Sequence, residues 1–122
     1  MDVTRNRLAL IALAATTLAG CSGGSDEPIT GTPLDGMTQK ARTTRCFADY
    51  ERLRDLGVWA HGGAVPGVNE AAWQQLTEAE QTNLITTAAC IGLGGKAGTR
   101  IVTVQEAGGV RDLATRRVVI AP

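Results

Sequence analysis

Few side chains in this sequence could do chemistry. Cys21, Cys46, Cys90 and the single histidine, His61, supply every thiol and the only imidazole. No CxxC pair and no second histidine stands near any of them, so neither a thioredoxin-type redox pair nor a clustered zinc site is written into the chain. His61 is followed by Gly62-Gly63, a pairing an oxyanion loop could use, yet no G-x-S-x-G nucleophile elbow occurs. An enzymatic reading therefore needs His61 as general base, oriented by Asp49, Asp55 or Glu70. Gly92-x-Gly94-x-x-Ala97 resists a dinucleotide reading because it ends a helical pattern and precedes a strand pattern, the reverse of what that fingerprint requires. Gly95-Lys96 is not a phosphate loop either, since Cys90 occupies the place of its first glycine and Ala97 that of its hydroxyl residue. No cofactor and no metal is expected. The segment Gly57 to Val68 holds four glycines, and within it Trp59 and His61 are the side chains expected to touch a ligand or partner by contact. The competing role for Trp59 is to fill the gap between the first helix and the C-terminal strands.

The start of the chain carries an address. Arg5 and Arg7 precede the apolar run Leu8 to Ala14, and small residues follow it, which describes a secretory signal peptide. The uncharged stretch Leu8 to Gly20 would be about 20 Å long as a helix, against a hydrocarbon core of about 30 Å. Leu18-Ala19-Gly20-Cys21 resembles the lipobox of bacterial lipoproteins, with all four positions matching. The resemblance implies that the Cys21 thiol carries diacylglycerol, that cleavage precedes it, and that the mature chain begins there. Two or three acyl chains give stable anchoring where one would be marginal. Ser22, where the class uses Asp for retention in the inner membrane, points to the outer membrane facing the periplasm if the cell has two membranes.

With Cys21 assigned to lipid, Cys46 and Cys90 are an even pair in an exported, oxidising compartment, which predicts a disulfide. On a helical wheel, however, Cys46 lies in an apolar stripe while Cys90 falls with Asn83, Thr86 and Thr87. Either the last turn of that helix deviates, or a redox or metal role has to be entertained.

The elements that must position these residues follow from patterning. Residues 1–20 are expected to be the signal peptide, 21–36 the lipidated cysteine and a flexible tether rich in Gly, Ser, Pro and Thr, and 37–122 a small globular domain. Cys46, Phe47, Tyr50, Leu53 and Leu56 form a helical stripe that stops at Gly57, with Arg42, Arg45, Asp49, Arg52 and Asp55 assigned to a solvated face. Arg45–Asp49 and Glu51–Arg54 have the spacing of helical ion pairs. Asn69 is placed to cap a short helix, and Thr77-Glu78-Ala79-Glu80 is a capping box for a longer one. After Gly98, β-branched runs at 100–105 and 116–121 predict strands, with the pairing of Val110 to Thr115 open. The fold class is α+β: two to three helices followed by a C-terminal antiparallel β-ribbon.

Composition agrees with a modest, stapled domain. Only four aromatics (Phe47, Tyr50, Trp59, Trp73) accompany 15 glycines, so the core is built mainly of aliphatic residues. Twelve basic and 12 acidic side chains leave no field to attract nucleic acid. Loss of residues 1–20 removes Asp2, Arg5 and Arg7 and leaves a mature net charge near minus one. The functional expectation is a membrane-anchored, non-catalytic structural or partner-binding lipoprotein of the cell envelope. The alternative is a small envelope enzyme or enzyme subunit using His61.

Overall fold

A computed structural model of the chain describes residues 27–122, Val110 excepted. The export segment 1–20, Cys21 and the first part of the expected tether lie outside the described residues, as does Val110 in the segment whose pairing was open. In chain order the elements are α1 (Gln39–Asp55), β1 (Trp59–His61), β2 (Gly67–Val68), α2 (Glu70–Gln75), α3 (Glu78–Gly92), β3 (Gly98–Glu106) and β4 (Asp112–Ile120). The class is mixed helix and sheet, but the C-terminal part is not a simple antiparallel ribbon. Four strands join in the order β1-β2-β3-β4, with β1-β2 and β3-β4 antiparallel and β2-β3 parallel. The Gly57–Val68 segment, expected as a connector, thus supplies two strands. Sequence pattern misses them because they have only three and two residues, too short to alternate.

Helix ends follow their local chemistry. The Thr38, Asn69 and Thr77 side chains accept from the Ala41, Ala72 and Glu80 amides at 3.1, 2.9 and 3.2 Å, and Glu80 accepts from the Thr77 amide at 2.9 Å, completing the capping box. At the end of α1 the Gly57 and Val58 amides donate to Arg54 and Leu53 carbonyls, and at the end of α3 Gly94 and Gly95 donate to Ile91 and Cys90. Both are Schellman closures, and each needs a residue at positive φ: Gly57 at +78° and Gly94 at +62°.

Among the described residues, packed chain extends N-terminal of Met37, at least as far as Ile29. Ile29 forms a parallel bridge to Val118, donating to the Arg117 carbonyl at 2.8 Å and accepting from the Val119 amide at 2.9 Å. Ile29, Thr32 and Leu34 are all buried. Composition reads this stretch as tether because one short bridge and two apolar residues carry no periodic signal. The segment covers part of the open edge of β4, which would otherwise present unpaired backbone groups.

Helices lie on one face of the sheet. Val102, Val104, Val118 and Ile120 point from β3 and β4 into the core, where they join Leu84, Ile85, Ala88 and Ala89 of α3 and Leu53 of α1. α3 is buried continuously from Leu84 to Cys90 because it lies between α1 and the sheet. This resolves the wheel conflict at Cys90: its polar-looking side, with Thr86 and Thr87, is a second buried face turned to α1. The Cys46–Cys90 disulfide bolts α1 to α3 there, with Cα atoms 6.4 Å apart. Beside it the crevice between Pro33, Leu34, Asn83 and Thr86 holds about 10 Å³, no more than a water molecule needs.

Two assignments on α1 are corrected. Arg42 is buried at 4 % exposure, donating Nε to the Leu34 carbonyl (2.9 Å), Nη1 to Gly95 (3.3 Å) and Nη2 to Ala121 (2.9 Å). It ties three chain segments together by satisfying their carbonyls, so it does not belong to the solvated face. Phe47 and Leu56 instead are exposed, because α3 covers only the side of α1 that carries Cys46 and Leu53. The Arg45–Asp49 pair forms at 3.6 Å, while Arg54 lies over the Tyr50 ring, 5.7 Å from its centroid.

Candidate functional site

The glycine-rich segment places its two singled-out residues on opposite sides of the sheet. Trp59 is 1 % exposed; its ring meets Tyr50 edge-on at 4.8 Å between centroids and its Nε1 donates to the Gly62 carbonyl at 3.0 Å. A satisfied indole packed at that depth offers no contact surface, so of the expected pair only His61 can touch a partner. Trp59 takes the competing role of core filler, against α1.

His61 is exposed and belongs to β1 opposite Gly67, after a bulge that follows Trp59. The bulge puts His61 on the face away from the helices. Its ring covers the Gly67 backbone so closely that a Cβ at Gly67 would overlap the imidazole. Among the described residues no carboxylate hydrogen-bonds to His61, and Asp49, Asp55 and Glu70 do not join it. A base without an orienting acid, lying flat on a strand, lacks the geometry of a general-base dyad. The described residues also contain no group of three or more His, Cys, Asp or Glu placed to hold a metal ion.

Glu70 serves elsewhere. It pairs with Arg111, which also reaches Glu106 at 3.1 Å, so that the end of the β3-β4 hairpin is tied to the first turn of α2. Sharing with the Glu70 carboxyl, and then with Arg111, holds the Glu106 carboxyl below the ordinary Glu value. This is an exposed ion cluster in which two carboxylates share one guanidinium, and it ties Glu70 to the hairpin end and not to His61.

The outer face of the sheet was not singled out from sequence. Pairing sets Thr99 opposite Val119, Ile101 opposite Arg117 and Thr103 opposite Thr115, with Gln105 beside Gly67 and the His61 ring. Ile101 is 60 % exposed and Thr99, Thr115 and Arg117 are exposed as well. The Thr103 and Thr115 hydroxyls meet at 3.3 Å. No second layer covers this face among the described residues. Alternation at Ile101-Val102-Thr103-Val104 signals it in retrospect, but both faces of that run carry β-branched residues, so periodicity alone does not say which is wet.

Comparison with known protein families, with curated proteins and with solved structures finds no match. Function has to be argued from the residues themselves.

Proposed function

We propose that the protein is a lipid-anchored lipoprotein of the bacterial cell envelope, with a non-catalytic structural or partner-binding domain held at the membrane by acyl chains on Cys21. The observation that carries this reading is Leu18-Ala19-Gly20-Cys21 placed directly after a basic segment and a short apolar run. Two features support it. The other two cysteines are joined in a disulfide, which suits an exported, oxidising compartment and leaves Cys21 as the one thiol not used by the domain. Ile29, eight residues after Cys21, is already bridged to β4, which is compatible with a domain held close to an anchor on Cys21. Ser22 favours the outer membrane, facing the periplasm, in a cell with two membranes. The enzymatic alternative gains no support from the surroundings of His61.

The test is Cys21→Ala in the full chain. Acyl labelling should disappear and an uncleaved precursor should accumulate; labelling that persists in the variant overturns the assignment.

A further inference from the structure

We infer that the outer face of the sheet, centred on Ile101 and Arg117, rests on the phospholipid headgroups of the membrane that carries the protein's own anchor. The inference depends on acylation of Cys21 as proposed above and adds the orientation of the domain to it.

Chain length limits how the domain can sit on its membrane. The Glu27 carbonyl is fixed against β4 by Arg116, whose Nε and Nη2 donate to it at 3.1 and 2.7 Å, and Ile29 is bridged to Val118 just beyond. Six residue steps separate Cys21 from Glu27. Fully extended they span at most about 20 Å, whereas a domain of this size is roughly 30–35 Å across. So short a leash cannot let every face reach the bilayer. It holds the β4 edge, and a surface bordering that edge, against the headgroups.

One of the bordering surfaces suits such contact. The outer sheet face is broad, without a second layer, and carries β-branched side chains with exposed Ile101 at its centre. Arg117, directly across from Ile101 and exposed, makes no ion pair among the described residues and can meet a headgroup phosphate. Asp112, the acid on the same face, stands at the hairpin end beside Gln105. An arginine with an adjacent aliphatic side chain matches the chemistry of an anionic lipid interface.

The mature, acylated chain, isotope-labelled and embedded one copy per lipid nanodisc containing phosphatidylglycerol and a gadolinium-chelating headgroup lipid, tests this directly. Amide signals of 99–103 and 115–119 should broaden several-fold more than those of Lys40, Thr44 and Phe47 on α1. The double variant Ile101→Asp, Arg117→Glu should remain acylated and disc-bound yet lose that contrast, the docked population falling by on the order of tenfold. Both substitutions are at exposed positions and leave the core intact. Uniform broadening, or stronger broadening on α1, in protein whose Cys21 carries acyl mass overturns the orientation alone and turns attention to a protein partner for the sheet face. Absence of acyl mass on Cys21 overturns both readings.

Discussion

Arg42 shows how a residue type can mislead and then explain. A charged side chain at helical spacing beside Arg45 and Asp49 is placed on the wet face by any wheel, because the wheel has no knowledge of the carbonyls waiting at Leu34, Gly95 and Ala121. Only the planar fork of a guanidinium reaches all three, and Gly95 must lack a side chain, since a Cβ there would strike Thr43 and the Gln39 carbonyl. Arg42→Ala should therefore cost about 3 kcal/mol or more in urea unfolding, from carbonyls left without donors in a closed site, and Arg42→Lys should recover only part of it. Trp59→Ala should cost roughly 3 to 5 kcal/mol, the range for emptying an aromatic core site. His61→Ala should leave the melting temperature nearly unchanged because the ring is exposed and makes no hydrogen bond among the described residues. A loss of stability at His61 comparable to that at Trp59 would show that the imidazole cover on Gly67 is structural packing.

Elements were legible where they are long or capped by specific side chains. The Thr77–Glu80 capping box, the Asn69 cap and the Gly57 stop all stand where local chemistry puts them, since each is decided within four or five residues. What pattern could not supply is set by partners distant in sequence: the parallel pairing of Gly67-Val68 with Gln105-Glu106, and the two buried sides of α3. The candidate site was half legible for the same reason; His61 is exposed as its loop-like sequence suggests, while Trp59 is claimed by Tyr50 of a different element. Reduction of Cys46–Cys90, which closes a separation of 44 residues, should lower stability by about 4 kcal/mol in the chain-entropy account, read from unfolding with and without reductant. Bonds from the Thr77 amide and then the Thr77 hydroxyl hold the Glu80 carboxyl below its ordinary value of 4.5. A depressed folded-state value means that its contribution is present above the unfolded value and is lost as pH falls through the lowered one. Stability should thus decline below about pH 4.5, and Glu80→Gln should flatten that decline in pH-dependent unfolding.

At the scale of the whole molecule, the decisive segment is the one that composition assigned to the tether. Ile29 is buried beside β4 and its backbone covers the β4 edge, while Leu34 is buried beside the Cys46–Cys90 disulfide and its carbonyl receives one of the three Arg42 bonds. Losing two buried aliphatic side chains removes about 3 to 6 kcal/mol of apolar burial, which is a large part of the stability available to a domain of about one hundred residues. It also opens a strand edge to intermolecular pairing. A chain starting at Met37 should accordingly be unfolded or aggregated, whereas one starting at Glu27 should unfold cooperatively, with both disulfide-bonded cysteines retained. Size-exclusion chromatography and amide exchange on the two chains decide the matter: if the chain from Met37 is monomeric and as protected in β3 and β4 as the longer one, the segment is an appendage and the leash from Cys21 is longer than six residues.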